Sequence, residues 1–220
     1  MYVKDGLVDY AGLKKDGQAD LGAYLGSLES VSRHCYDAWT REQKLAYWID
    51  VYNAYTVRLI LDHYPLESIR AIGWLPGAAF REDFIPLERV WGKTLSLDDI
   101  EHEIVRKEFM EPRIHFAVVC ASRGCPVLRS EAYRAVDLDQ QLDEAVRAFV
   151  GDAGKNRFDR ASRTLYLSSI FKWFREDFER AATTLPEFVA RFADEPTASA
   201  IRAGSVRIEF LDYDWSLNGR

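Results

Sequence analysis

The feature that most constrains the fold is a long amphipathic segment between Thr40 and Pro65. Thr40 and Gln43 have the spacing of a capping box, which starts a helix by satisfying two free backbone N–H groups. Large apolar residues then recur at steps of three and four, as on one buried helix face. They are Leu45, Trp48, Ile49, Tyr52, Leu59 and Ile60. Because proline disrupts a helix, we predict one long helix that ends before Pro65.

A second amphipathic segment predicts a helix over residues 97–107. Ser96 is a favourable N-cap residue, and the acidic pair Asp98 and Asp99 suits the positive end of a helix dipole. Residues spaced as on one helix face then form the predicted core side. They are Leu97, Ile100, Ile104 and Val105.

Residues 114–120 form a short run that is apolar on both faces and rich in β-branched side chains. Such a run is typical of a buried central strand. Periodicity also predicts helices over 138–150 and 170–180 and short strands over 163–167 and 206–211. We therefore expect a helix-rich α+β fold around a small sheet, with a buried central strand near residues 113–120.

The chain of 220 residues has no internal repeat and no Ser/Gly linker, which favours a single domain over residues 1–220. Its composition, 48% hydrophobic and 13% aromatic, excludes a disordered chain. The longest irregular stretch, residues 73–93, carries large apolar side chains among its prolines and glycines. We expect it to be an ordered loop packed on the body.

Charge and hydropathy exclude two classes of partner. Nucleic-acid binding depends on clustered Lys and Arg, whereas this chain has a net charge of −6, a pI of 5.3 and no basic run. No apolar stretch reaches the roughly 20 residues of a membrane helix, so we expect no membrane insertion. Residues 1–21 lack the features of a signal peptide, which favours the cytoplasm, or the periplasm or secretion if a leader was trimmed. The sequence contains no feature that indicates the oligomeric state.

Cys120 is the best candidate for a nucleophile. It lies where the predicted strand meets a Ser/Gly loop, a position from which many α/β proteins project a reactive group. The alternative is that Cys120 is a small hydrophobic residue that closes the core. The three cysteines, which include Cys35 and Cys125, do not form the pattern of a disulfide scaffold. At most one bridge is expected, and Cys120 with Cys125 is its natural pair.

Polar residues on apolar helix faces are the next candidates. Glu101 falls within the apolar arc of the second predicted helix, where a carboxylate is costly unless it has a partner, and His102 lies at the edge of that arc. Asn53 lies beside Tyr52 on the core edge of the long helix. The structural alternative is that its amide tethers two segments of the chain. The functional alternative is that it orients an imidazole or stabilises an oxyanion.

Strand alternation would place His115 on the opposite face from Cys120, so His115 is predicted to be a buried histidine with a backbone partner. All histidines precede Cys120 in the chain, which excludes the papain order. Pro126 occupies the position of the arginine in a Cys-x5-Arg phosphatase loop, and neither a Walker loop nor a Gly-x-Ser-x-Gly elbow is present. A zinc site formed by Cys120, Cys125, His102 and His115 remains an alternative, although Cys-x4-Cys alone is a weak signal for a metal site.

Several separated motifs resemble the bacterial branch of the family called domain of unknown function 547. They lie at residues 46–54, 96–102, 114–126 and 213–218, with weaker similarity at 8–10 and 170–174. The resemblance covers nearly the whole chain and places Asn53, Glu101, His102 and Cys120 at motif positions. It implies that plant relatives keep the cysteine at Cys120 and vary at Cys125, which favours a lone thiol over a metal pair.

These observations support a thiol enzyme, hydrolase or peptidase-like, that acts on an acyl or amide bond of a small molecule or peptide. Cys120 is then the nucleophile, His102 the base, and Glu101 or Asn53 orients the base or stabilises charge. No cofactor is expected. The first alternative is a non-catalytic interaction domain in which the same residues only join segments, and the second is the zinc site at Cys120 and Cys125.

Overall fold

The computed structural model describes residues 2–75 and 77–220; Met1 and Pro76, the latter within the predicted loop, lie outside the described residues. Helices dominate, and the strands form small separate sheets, which confirms the helix-rich α+β class. The α-helices are α1 Tyr10–Asp16, α2 Gln18–Glu29, α3 Arg33–Asp37, α4 Arg41–His63, α5 Ala78–Arg81, α6 Glu88–Trp91, α7 Leu138–Val150, α8 Ser169–Trp173, α9 Arg175–Ala182, α10 Leu185–Phe192 and α11 Glu195–Arg202. A π-helix spans Asp99–Phe109, and 3₁₀-helices span Ile69–Ala71 and Pro112–Phe116.

The strands pair in three sheets within the described residues. They are β1 Val3–Lys4, β2 Leu7–Val8, β3 Ile85–Pro86, β4 Thr94–Leu95, β5 Arg157–Asp159, β6 Thr164–Ser168 and β7 Arg207–Leu211. β1 pairs with β2 and β3 with β4, both antiparallel. β6 is the middle strand of the third sheet, antiparallel to β5 and parallel to β7.

Helix α4 confirms the long helix that the sequence predicts. The Thr40 hydroxyl accepts a hydrogen bond from the Gln43 N–H at 3.3 Å, and the Gln43 side chain accepts one from the Thr40 N–H at 2.8 Å. This capping box satisfies two N–H groups that the first helical turn leaves free. The apolar face of α4 is fully buried and forms the centre of a larger core that reaches from Val8 to Leu142.

The predicted central strand near residues 113–120 is wrong. Pro112–Phe116 is a 3₁₀-helix whose first turn is capped by the Glu111 carboxylate, and the chain then continues irregularly to Cys120. Proline at the start suits a helical turn because its missing N–H has no intrahelical partner there. A short apolar run is equally compatible with a buried helical segment, and only its burial was predicted correctly.

The second predicted helix exists but is a π-helix, displaced to Asp99–Phe109. Ser96 and Asp99 exchange side-chain and backbone hydrogen bonds at its start, at 3.0 and 3.2 Å. Its buried residues Ile100, Ile104, Val105 and Phe109 follow steps of four and five, as expected when each hydrogen bond reaches one residue further than in an α-helix. π-helical turns are rare, and they are frequently found at functional sites.

A smaller core forms in the C-terminal part of the chain. α7 confirms the predicted helix, β6 and β7 confirm the predicted strands to within one residue, and the helix predicted over 170–180 divides at Phe174 into α8 and α9. These elements surround a group of packed phenylalanine rings. Its members are Phe116, Phe149, Phe171, Phe178 and Phe188.

The loop predicted over residues 73–93 contains α5, β3 and α6. Ile85, Leu87 and Val90 are buried within it, so it packs on the larger core as expected. In the described ranges no helix is both long and apolar enough to cross a membrane. The domain bounds 1–220 stay a prediction.

Candidate functional site

A cavity of about 170 Å³ opens where the two cores meet. α4 and the π-helix line it from the larger core, and α8 and the C-terminal segment line it from the smaller one. The segment that carries His115 and Cys120 joins the two sides. The lining residues are Tyr52, Phe80, Asp98, Glu101, His102, His115, Val118, Cys120, Cys125, Pro126, Ile170, Trp173, Phe174, Tyr213 and Trp215.

Cys120 and Cys125 are joined by a disulfide in this cavity. The Cys125 sulfur accepts hydrogen bonds from the Cys120 N–H at 3.0 Å and from the Tyr213 hydroxyl at 3.1 Å. Cys120 is half-buried, whereas Cys125 is buried. In this state Cys120 has no thiol, so any nucleophilic role requires the bridge to be reduced first.

Hydroxyl groups surround the Cys120 sulfur. The Ser122 oxygen lies 3.2 Å from it and the Tyr213 oxygen 3.3 Å from it. Burial raises the pKa of Tyr213, which therefore keeps its proton as a hydrogen-bond donor. After reduction, donors at these distances would favour the thiolate over the thiol.

The loop that follows Cys120 is held by residues 213–218. The N–H groups of Arg123 and Gly124 donate to the carbonyls of Ser216 and Asp214, each at 2.8 Å, and the Asn218 N–H donates to the Ala121 carbonyl at 3.0 Å. Gly124 permits this approach, because a Cβ there would lie 2.9 Å from the Asp214 oxygen. The same C-terminal segment reaches the N-terminal region, where the Tyr10 hydroxyl donates to the Asn218 side chain at 2.8 Å.

Ala121, directly after Cys120, has a φ of 59°. This left-handed conformation costs a residue with a Cβ about 1 kcal/mol and persists only where the surroundings enforce it. Strained residues of this kind concentrate at active sites and ligand contacts.

His115 forms a buried pair with Asp177. Its Nε2 lies 2.9 Å from the Asp177 carboxylate, which also accepts a hydrogen bond from Arg106 at 2.7 Å. A carboxylate only accepts, so Nε2 carries the proton and Nδ1 presents its lone pair. Nδ1 is buried without a hydrogen-bond partner. The histidine ring stacks on Phe174 with 3.8 Å between centroids.

Two pKa shifts fix the charges of this pair. Burial lowers the pKa of His115 despite the attraction of Asp177, so the imidazole is neutral near pH 7. Burial alone would raise the pKa of Asp177, but hydrogen bonds from His115 and Arg106 outweigh it and hold that pKa well below its usual value. A neutral imidazole with a free lone pair, oriented by a carboxylate, is the arrangement of a general base.

This placement corrects the sequence argument about His115. Alternation along a strand would turn His115 away from Cys120, but Pro112–Phe116 is a 3₁₀-helix. His115 therefore lines the same cavity as Cys120, and its partner is a carboxylate instead of the predicted backbone group.

His102 also lines the cavity but is bound differently. Its Nδ1 lies 3.2 Å from the Arg106 guanidinium, which can only donate, so the Nδ1 lone pair is already used. Nε2 lies 3.9 Å from the Asp98 carboxylate near the surface. His102 is therefore less suited than His115 to accept a proton from Cys120.

Glu101 has the buried partner that its position requires. The Tyr52 hydroxyl forms a hydrogen bond with it, and its Oε1 lies 3.9 Å from Nδ1 of His115. The Glu101 side chain is 13% exposed and lines the cavity. Arg123, in the loop after Cys120, donates a hydrogen bond to the Gly219 carbonyl.

Asn53 does not line this cavity. Its amide nitrogen donates to the Ala117 carbonyl and its oxygen accepts from the Val119 N–H, both at 2.8 Å. These bonds hold the irregular segment before Cys120 against α4, and they support the tether alternative. The structure thus brings Glu101, His102 and Cys120 to one cavity and places Asn53 behind the chain that leads to it.

Sequence reasoning missed Asp177, Ser122 and Tyr213. Tyr213 begins one of the family-like motifs, so the resemblance could have identified it. Asp177 lies in the first turn of α9, where an acidic residue is already explained by the helix dipole. It is 62 residues from His115 and leaves no local signal.

The zinc alternative meets a chemical obstacle. Both sulfurs are used by the disulfide, whereas zinc binds thiolates. Across residues 2–75 and 77–220, no group of three or more His, Cys, Asp or Glu side chains is arranged to hold a metal ion.

The fold and site define a helix-rich α+β protein with a cysteine and a carboxylate-bound histidine in one cavity. Comparison with models of protein families matches residues 36–150 to the family described as "Protein of unknown function, DUF547". The match covers more than half of the chain, and the protein belongs to the DUF547 family. Comparisons with curated proteins and with solved structures give no match.

The matched range includes Glu101, His115 and Cys120 but ends before Asp177 and Tyr213. The cavity is thus completed by residues outside the part of the chain that the family model matches. The similarity to the bacterial branch stays a prediction.

Proposed function

We propose that the reduced protein is a cysteine-dependent enzyme that acts on an acyl or amide bond, with Cys120 as the nucleophile. The observation that carries this proposal is that Cys120 lines one cavity with His115, a buried neutral imidazole whose Nδ1 has no partner. A histidine oriented by a carboxylate beside a cysteine is the usual way to activate a thiol.

The proposed base is His115 in place of His102. The Asp177 carboxylate fixes the Nε2–H tautomer of His115 and would stabilise the imidazolium that forms during the reaction. The ring is also held by stacking on Phe174, so its orientation is fixed before substrate binds.

The reaction begins with the reduction of the bridge. A dithiol reductant reduces the bridge by thiol–disulfide exchange. Cys120 and Cys125 become thiols, and the reductant becomes a disulfide. His115 Nδ1 then accepts the Cys120 proton while the sulfur attacks the acyl carbon, and the leaving amine or alcohol takes that proton as it departs. Water cleaves the resulting thioester, releases the carboxylic acid and restores the thiol. Tyr213, with its proton retained, is suited to donate to the oxyanion.

Acetylation of the reduced protein by p-nitrophenyl acetate tests the proposal. Mass spectrometry of peptides would follow the acetyl group on Cys120 and on Cys35, an exposed free cysteine in the same chain that serves as an internal control. We expect Cys120 to react at least about 100-fold faster than Cys35, since general-base assistance contributes about 10²–10⁴-fold. His115→Gln should remove most of this difference, and His102→Gln should retain it.

A Cys120 thiol that acetylates no faster than Cys35 would contradict the proposal. Loss of the rate difference in His102→Gln, with His115→Gln unaffected, would instead restore His102 as the base. A Cys120 thiol that is inert in the unaltered, folded protein would favour the non-catalytic interaction domain.

The disulfide itself favours a second function, reversible thiol–disulfide exchange. The bridge lies in the cavity, and its Cys120 side is the more exposed one. Equilibration in glutathione buffers of defined ratio would give its reduction potential. A potential near that of cellular glutathione, together with slow acetylation of Cys120, would favour this function over acyl transfer.

A further inference from the structure

The charged side chains that line the cavity are acidic. Among the described lining residues they are Asp98 and Glu101, and none is Lys or Arg. The buried His115 adds no positive charge at neutral pH, because burial lowers its pKa. A ligand with a positive charge therefore fits this cavity better than an anion.

The cations near the cavity are already engaged. Arg106 binds the Asp177 carboxylate at 2.7 Å and the His102 ring at 3.2 Å, so its charge is balanced within that cluster. Arg81 attracts the Asp98 carboxylate. Glu101, in contrast, has no Lys or Arg within ion-pair distance among the described residues, and its neighbours are the Tyr52 hydroxyl and His115. Glu101 is the carboxylate that a bound cation would neutralise.

Aromatic rings form one wall of the cavity. Trp173, Tyr213 and Trp215 lie with their ring centroids 4.6 to 5.8 Å apart, and Trp173 is half-exposed. Aromatic faces attract cations and also bury the apolar part of a ligand. The wall thus suits a cation that carries an apolar group.

An independent observation indicates which cation. Nδ1 of His115 is an acceptor with no partner, in a side chain that is 1% exposed, and it lies 3.9 Å from the Glu101 oxygen. The two atoms are too far apart for a hydrogen bond to each other. A single nitrogen with two N–H groups can reach both at about 2.9 Å. A primary ammonium group has the necessary donors, whereas a quaternary ammonium has none.

We propose that the cavity binds a primary ammonium group attached to an apolar body, with the nitrogen between Glu101 and His115. A ligand bound in this way occupies the Nδ1 lone pair that accepts the Cys120 proton in the function proposed above, so it would inhibit that reaction and not serve as its substrate. The acidic cavity selects the amine, and the aromatic wall accepts the apolar group.

Isothermal titration of the disulfide-bonded protein at pH 7.5 with a series of benzyl compounds tests this proposal. The probes are benzylamine, benzyltrimethylammonium, benzyl alcohol and benzoate. We expect benzylamine to bind most tightly, at least about tenfold tighter than benzyl alcohol, because hydrogen bonds between charged partners are the stronger ones. Benzyltrimethylammonium should be intermediate, and benzoate should bind most weakly.

Glu101→Gln should weaken benzylamine binding by about tenfold and leave benzyl alcohol unchanged. The matched control is Glu103→Gln, two residues away on the same π-helix, where the carboxylate is exposed and paired with Lys107. Should Glu101→Gln not fold, the ligand series on the unaltered protein still decides.

Equal affinity for benzylamine and benzyl alcohol, or tighter binding of benzoate, would overturn the proposal. The measurement uses the oxidised protein, so a failure of thiol chemistry does not affect it. Absent amine binding together with fast acetylation of Cys120 would mean that the enzyme proposal holds and that the proposed amine site does not exist.

Discussion

Asp50, partly buried beside the larger core, and His115, fully buried beside the smaller core, are both desolvated, and this shifts their pKa values in opposite directions. Asp50 of α4 has a pKa raised to about 6, because desolvation outweighs its hydrogen bonds from the Tyr133 N–H and the Tyr24 hydroxyl. His115, stacked on Phe174 and against Phe178, has a pKa lowered by burial. In both cores the folded state favours the neutral side chain.

The opposite pKa shifts of Asp50 and His115 show that the proposed base needs a desolvated environment. The same kind of desolvation raises the pKa of Asp50 and lowers the pKa of His115, which keeps a lone pair free on the imidazole at neutral pH. For a carboxyl group the neutral form is protonated, whereas for an imidazole it is deprotonated, so burial favours the proton-accepting form only at His115.

Removal of the central ring of the smaller core should have the largest effect. Phe116 is fully buried and packs against four other phenylalanine rings at centroid distances of 5.1 to 6.2 Å. Phe116→Ala should lower the free energy of unfolding by about 3–5 kcal/mol in urea denaturation. Val136→Ala, at an exposed position, should change it by less than about 0.5 kcal/mol. A loss below about 1 kcal/mol for Phe116→Ala would mean that the smaller core does not depend on this ring.

The pH dependence of stability should separate the two cores. The unfolded chain binds a proton at His115 near pH 6.5 while the folded protein does not, so stability falls as the pH drops below that value. At Asp50 the folded protein binds the proton more tightly, so stability rises as the pH drops from about 6 towards 4.

Urea denaturation between pH 4 and pH 8 measures both slopes. In the unaltered protein, His115 makes stability fall as the pH drops, and His115→Gln should abolish this fall. Asp50 makes stability rise as the pH drops, and Asp50→Asn should abolish this rise. At pH 7 we expect Asp50→Asn to be stabilising by about 1–2 kcal/mol, because it removes the cost of a buried charge. If both variants change the slope in the same direction, burial is not what shifts these two pKa values.

The smallest effect should come from the strained residue beside the disulfide. Ala121→Gly relieves the left-handed conformation but makes the unfolded chain more flexible, so we expect a gain of only about 0.5 kcal/mol. The comparison is Ala54→Gly within α4, which should lose about 1 kcal/mol or more. Equal losses in thermal denaturation of the two variants would argue against strain at Ala121.

Sequence reasoning succeeded where the signal is local. The capping box at Thr40 and the apolar face of α4 are set by residues a few positions apart, and the same holds for α7. It failed at residues 113–120, because a short apolar run does not distinguish a strand from a 3₁₀-helix. The cap by Glu111 at Pro112 is local and was overlooked, whereas the Asn53 tether, which holds residues 117–119 against α4, depends on tertiary packing.

The candidate site shows the same limit. Cys120, Glu101 and His102 could be identified because they stand on amphipathic segments and in motifs, and all three line the cavity. The pairing of His115 with Asp177 could not, because the two residues are far apart in sequence and the strand assumption turned His115 away. The π-helix also changes which neighbours share a face, and residue spacing alone does not reveal it.

The C-terminal segment that fastens the Cys120 loop has a consequence for biosynthesis. Tyr213, Asp214, Ser216 and Asn218 supply contacts that fix residues 120–125, and they follow those residues by about 90 positions in the chain. During translation Cys120 and Cys125 therefore emerge long before the partners that position them. We therefore expect the cysteine pair to remain accessible to thiols and oxidants until residues 213–218 have been synthesised and have closed over it.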